Sequence, residues 1–260
     1  MAMPVPSGTA VATEATPDLV GAVDQTPLRS APFAHLYLSN VFPRAYYRSL
    51  LDRLPTTRRY RDMPHRGAMR ADGRSARRKF YLFPEHIALL PAEQRRFWLP
   101  LSQALRSRDL EDAFKRKFRQ PLERRFGRSI EHLRFHPVPM LLRDIGGYSI
   151  GIHGDSLGKA ITVQLYLPPD DSQAHLGTIF HEGRDGDAAT RTTKLAFLPG
   201  SGYAFPVVYH ESWHSVAPMS DAEGQRDSLM LSYYVQTSAL EWMFQRLKRA
   251  WLLVAYLFRR

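Results

Sequence analysis

Apolar residues recur along this chain with two different periods, and the change from one to the other falls near residue 137. Before it the spacing is helical. Residues 33–38 form a short extended run, after which Pro43 suits a first helical position and Tyr46, Tyr47, Leu50, Leu51 and Leu54 follow at helical intervals. Between 92 and 126, Phe97, Leu101, Leu105, Phe114 and Phe118 are interleaved with Arg and Lys, the pattern of amphipathic helices packed by one face. Beyond 137 the apolar runs are short and are separated by Gly, Pro and Asp, which predicts consecutive antiparallel strands. Alternation is clearest over 160–167, with Ile161, Val163, Leu165 and Leu167 on one face and Thr162, Gln164 and Tyr166 on the other. Further strands are predicted over 177–181, 194–198, 203–207, 213–217 and 228–235. So many strands in so short a stretch leave no room for helices between them. The expected fold is therefore α+β, with a closed or doubly layered β core, a jelly roll with a polar interior, flanked by N-terminal helices.

Helical spacing returns over 240–260 through Leu240, Phe244, Leu247, Trp251, Val254 and Phe258. The densest apolar run, 250–258, is nine residues long, far short of the roughly 20 that cross a bilayer. Packing on the β core is the expectation. Arg246, Lys248, Arg249, Arg259 and Arg260 beside the apolar positions would also suit a helix lying in a membrane interface.

At 260 residues the chain fits one domain. Residues 1–30, rich in Ala, Thr, Pro and Val without periodicity, are read as a flexible leader, and 31–260 as a single domain with its β core at about 135–236. The start lacks the basic residues and apolar run of a secretory signal, so the cytoplasm is the expected location. There are no cysteines, which excludes disulfides, thiolate metal sites and cysteine nucleophiles, and leaves imidazole and carboxylate to hold any metal. The net charge of +11 favours anionic partners without choosing among them. Much of it lies over 58–79, read first as a solvated loop and second as an electrostatic funnel for an acidic substrate. No zinc-finger spacing or RNA-recognition aromatic motif accompanies the charge, so no nucleic-acid partner is expected.

His153 and Asp155 form an H-x-D triplet whose side chains, two apart on a strand, face the same way. An imidazole and a carboxylate are suitable donors for iron, and a second imidazole would complete a three-ligand face with open positions. Arg226 and Ser228 are also two apart, and a guanidinium presents a planar fork that matches a carboxylate. Between them come 177–180 (GTIF), Pro199-Gly200 and Trp213-His214-Ser215-Val216-Ala217-Pro218. Taken together, over about 135–236, this order resembles the 2-oxoglutarate/Fe(II)-dependent dioxygenases, in their prolyl-hydroxylase-like branch.

The resemblance implies a cupin-like double-stranded β-helix in which His153, Asp155 and His214 hold iron. His210 is the rival to His214 but lacks the Val and Pro that follow it. Arg226 and Ser228 would hold the distal carboxylate of 2-oxoglutarate, helped by Tyr166, whose plainer role is a barrel-lining aromatic. Arg143, Tyr148 and Lys159 would stand near the entrance, although surface solvation is the plainer role for Arg143 and Lys159. The remaining histidines read as structural or exposed. With Fe(II), 2-oxoglutarate and O2, oxidative decarboxylation would yield succinate, CO2 and an oxidant that abstracts a substrate hydrogen. Hydroxylation is the default outcome; desaturation, ring closure or epimerisation share the abstraction, while halogenation would need the position that Asp155 fills. A small molecule or saccharide carrying an anionic group is favoured as substrate over a protein side chain. The alternative is a metal-binding cupin-like barrel without oxygenase activity. Oligomeric state is not legible.

Overall fold

The computed structural model describes residues 16–63, 68–70, 72–184, 191–236 and 239–258. Its elements are α1 (Leu19–Gln25), β1 (Leu36–Leu38), α2 (Arg44–Asp52), β2 (Arg61–Asp62), β3 (Arg77–Tyr81) and α3 (Pro84–Ile87). There follow α4 (Ala92–Leu105), α5 (Arg108–Lys117), α6 (Arg119–Phe126), β4 (Phe135–Ile145), β5 (Ile150–His153) and β6 (Lys159–Tyr166). Next come β7 (Ile179–His181), β8 (Thr192–Lys194), β9 (Gly202–Pro206), β10 (Trp213–Val216), β11 (Gln225–Val235) and α7 (Ala239–Phe258).

The strands form two antiparallel sheets, one ordered β1-β9-β6-β11-β4-β3-β2 and the other β5-β10-β7-β8. The alternation in β6 explains how the layers stack. Ile161, Val163 and Leu165 are buried with Leu101, Leu105, Leu110 and Phe114 of α4 and α5, so this face of the large sheet carries the helices. The opposite face turns Tyr166, with Tyr203 and Phe205 of β9, onto Phe180 of β7 and Val216 of β10, filling the space between the sheets with aromatic rings. Gly202 lets β9 close on β6: a Cβ there would lie 2.4 Å from the carbonyl oxygen of Gln164.

Several expectations are corrected. Residues 19–25, within the stretch read as a flexible leader, form α1, capped by the Asp18 carboxylate on the Gly21 amide, with Leu19 and Val23 buried; residues 1–15 lie outside the described ones. The strand expected over 194–198 ends at Lys194. Pro43 sits one residue ahead of α2. The segment 58–79 is not simply a solvated loop, because Arg77–Tyr81 pair along β4 and Arg77 is buried; 64–67 and 71 are outside the described residues. β4 starts before its two prolines, Pro137 and Pro139, which broke the apparent alternation.

The last helix docks by one side. Arg249 places its guanidinium on the Glu85 carboxylate at 2.8–2.9 Å and 4.1 Å from the Phe83 ring centre. Beside this contact, His86 is fully buried, and burial pushes its imidazole down to about 4 from 6.5. Between those values the unfolded chain binds the extra proton, so this contribution is complete above pH 6.5 and is lost as the pH falls toward 4. Urea unfolding should show a loss on the order of 2 kcal/mol across that window. In His86→Leu the slope should be shallower by that amount.

Candidate functional site

The ends of two neighbouring strands bring the first pair of groups together. His153 closes β5 and stands opposite His214 of β10 in the antiparallel register, with ring centres 4.2 Å apart. Each ring is oriented in the same way: His153 Nδ1 donates to the Gly151 carbonyl at 2.9 Å and His214 Nδ1 to the Ser212 carbonyl at 3.1 Å. A carbonyl can only accept, so Nδ1 carries the proton and Nε2 the lone pair in both rings. Burial pushes His214 down to about 4; Asp155 acts in the opposite direction and His153 adds to the lowering. The Phe205 ring, 5.0 Å away, walls it on one side.

Asp155 lies just beyond β5. Lys159 Nζ donates to its Oδ1 at 2.7 Å and Thr162 Oγ1 to its Oδ2 at 2.6 Å. Burial alone would raise its pKa, but Lys159, His214 and the Thr162 hydroxyl hold it well below the usual carboxylate range. Each carboxylate oxygen accepts one of these bonds and has a second lone pair. His153, Asp155, Lys159, Thr162, Gln164 and His214 all line one cavity of about 230 Å³, together with Arg77, Tyr148, Tyr203 and Met230. Among the described residues, no three His, Cys, Asp or Glu side chains are gathered tightly enough to enclose an ion as they stand. A larger cleft of about 610 Å³ is the seam beneath α7, bordered by Glu85, Arg106 and Arg249; none of the residues singled out by sequence for chemistry lines it.

Behind the cavity lining runs a polar chain. Tyr203 donates to Gln164 Oε1 at 2.7 Å, and Gln164 Nε2 to Ser228 Oγ at 2.8 Å. The Tyr166 hydroxyl accepts from the Thr178 amide at 3.1 Å. Arg226 is fully buried, donating from Nη1 to Asp144 at 2.8 Å and from Nε to the Leu176 carbonyl at 2.9 Å, while its Nη2 has no hydrogen-bond partner among the described residues. Asp144 also receives both arms of Arg77, at 2.6 and 2.9 Å. Among the described residues, two guanidiniums thus share this one carboxylate, an excess of positive charge in a place where unpaired charge is costly. Arg77 in turn lies 4.3 Å from the ring centre of Tyr148, whose buried hydroxyl has no hydrogen-bond partner among the described residues.

No protein-family model matches this chain, and no curated protein matches it in sequence. Solved structures do match in shape. A Pseudomonas putida prolyl-4-hydroxylase is 15% identical, and the match covers 85% of this chain and 100% of that one with a TM-score of 0.52. A Trichoplax adhaerens prolyl hydroxylase, solved in complex with a hypoxia inducible factor oxygen degradation domain peptide fragment, is 12% identical, with coverages of 83% and 87% and a TM-score of 0.51. The chain has the prolyl-hydroxylase fold.

On this prolyl-hydroxylase fold, His214 rather than His210 meets His153. His210 sits at a φ of 60° in a turn, its ring against Tyr209. Arg226, Ser228 and Tyr166 stand behind the lining rather than on it. The surface readings of Lys159 and Arg143 are overturned: Lys159 lines the cavity, and Arg143 is buried on Asp227 at 2.8 and 3.0 Å, away from the cavity and against the Tyr60 ring. His35, His86 and His181 are buried, His136 is half-buried and His132 and His175 are exposed; His65 is outside the described residues. Sequence reasoning missed Arg77, Asp144, Gln164, Tyr203 and Thr162. Alternation in β6 already put Thr162 and Gln164 on the polar face, but the cross-strand pairing of Asp144 with Arg226 has no local signature.

Proposed function

We propose that this chain is a non-haem Fe(II), 2-oxoglutarate-dependent oxygenase that hydroxylates a small molecule or saccharide bearing an anionic group, releasing succinate and CO2. The observation that carries the reading is the matched orientation of His153 and His214. Both rings have Nδ1–H tied to a backbone carbonyl and Nε2 as the lone-pair atom, beside an ionised carboxylate. Tethering of the distal nitrogen is how proteins fix imidazole ligands, and a set of two imidazoles and one carboxylate suits Fe(II). Iron would be held by His153, Asp155 and His214, and with 2-oxoglutarate and O2 it would supply the oxidising chemistry. The strand order of the two sheets supports a double-stranded β-helix as the frame, and the cytoplasm remains the location we favour.

The chain's own residues have separable tasks. Lys159 and Thr162 keep Asp155 ionised and aimed. Phe205, Val216 and Met230 limit water beside the imidazoles. Gln164, Tyr203 and Ser228 form a polar rear wall, and Arg226, with its unmet Nη2 and the surplus charge it shares with Arg77, offers a fit for the distal carboxylate of the cosubstrate, with Tyr166 close by. That surplus charge also weighs against a metal-binding barrel without a dicarboxylate. The cavity is small beside typical ligand sites of ~300–1,000 Å³, which favours a small molecule or one side chain over an extended polymer.

The reading is tested by Fe(II) binding and by succinate formation from 2-oxoglutarate over a panel of small anionic and saccharide substrates. Substrate-stimulated succinate is the expected result; a chain that neither binds Fe(II) nor consumes 2-oxoglutarate overturns it. Raising salt from about 50 to 500 mM should increase the half-saturating substrate concentration, because screening weakens attraction to the basic surface. A value unchanged by salt would remove the anionic group from the proposal.

A further inference from the structure

The last helix has a second face that the fold does not use. Of the twelve large apolar side chains exposed among the described residues, seven belong to α7, so the exposure is concentrated rather than scattered. Phe244, Leu247, Trp251, Val254 and Phe258 are 58, 59, 64, 50 and 83% exposed, and their spacing of three and four residues puts them along one line of the helix. Arg249, which docks the helix on Glu85, points to the other side. No helix of the described residues is long and apolar enough to cross a membrane.

Charge identifies what this face suits. On a helix of 3.6 residues per turn, Arg246 and Lys248 fall on opposite borders of the apolar stripe, and both are exposed. The whole chain carries a net charge of +11. The three-four spacing alone would also fit a seam between two copies. Such a seam would set Phe244, Trp251 and Phe258 at the crowded positions where β-branched side chains are preferred in helix pairs. Met243 and Leu257 further widen the stripe beyond a two-position seam. An aromatic and aliphatic stripe with basic borders is the composition of a helix that lies in the headgroup layer of an anionic bilayer.

We propose that α7 is a peripheral anchor, laying this stripe into the interface of membranes containing anionic phospholipid while its Arg249 face stays on the protein. The test uses the full chain and sedimentation with phosphatidylcholine vesicles, with and without phosphatidylglycerol. Binding is expected only with phosphatidylglycerol and should weaken with salt. The double substitution Leu247→Ser with Trp251→Ser should reduce vesicle binding by about tenfold or more, with an unchanged thermal melt because the docked face is untouched. Arg246→Gln with Lys248→Gln should reduce it while keeping the apolar stripe. Failure to bind the anionic vesicles, or equal binding by the Leu247/Trp251 variant, overturns the anchor. So does a concentration-dependent dimer abolished by that variant without any vesicle binding, which would assign the face to a second copy.

Discussion

Replacing His214 with alanine should abolish Fe(II) binding and lower 2-oxoglutarate-dependent succinate formation by roughly a thousandfold or more, equivalent to about 4 kcal/mol of barrier. The ring stands opposite His153 with its Nδ1 committed to Ser212, so its removal deletes one of the pair's two preset imidazole lone pairs. Neither Lys159 nor Thr162 can substitute, because both are donors to Asp155. His210→Ala is the control: that ring lies in the turn before β10, against Tyr209, and its loss should leave iron stoichiometry at the wild-type value. Metal content by mass spectrometry of the iron-loaded proteins, beside succinate yield, separates the outcomes. Retention of iron by His214→Ala, or its loss in His210→Ala, would refute the ligand assignment.

Arg226→Lys should raise the half-saturating 2-oxoglutarate concentration by at least about tenfold while leaving iron affinity within a factor of about two. Lysine keeps the charge but loses the planar fork, so the substitution tests directional bonding rather than net charge. The conservative change is chosen because Arg226 is fully buried on Asp144 and Leu176, and Arg226→Ala would also cost about 3–5 kcal/mol of stability by stripping a buried hydrogen-bonded ion. Arg77→Lys is the informative companion, since Arg77, not Arg226, reaches the cavity lining. If Arg77→Lys weakens the cosubstrate and Arg226→Lys does not, the anchor is Arg77, and the inner guanidinium serves only to hold Asp144.

The legible parts of this molecule are those governed by local period. Alternation in β6 put Ile161, Val163 and Leu165 on one face and Thr162 and Gln164 on the other; in the fold the first face meets the helices and the second lines the cavity. The helical spacing of α4, α5 and α7 likewise reappears in the structure. Legibility failed where one residue type masked a period or where the deciding contact was distant in sequence. Pro137 and Pro139 disguised β4, and α1 was too short to show an amphipathic face before Leu19 and Val23 found their burial. In the site, the pairs two residues apart were visible, but the ion pair of Arg77 with Asp144 spans 67 positions and that of Arg226 with Asp144 spans 82. Burial of Arg143 was missed for the same reason, since its carboxylate partner Asp227 lies 84 positions along the chain.

The shared carboxylate of Asp144 joins three adjacent strands, with β3 supplying Arg77, β4 the acid itself and β11 Arg226. A five-residue strand near the rim of a sheet would ordinarily fray by itself. Here peeling away would break both bonds that Asp144 receives from Arg77, which ties the rim strand to the wall of the cavity. The molecule thereby couples the slow breathing of its outermost strands to the integrity of the chamber they enclose.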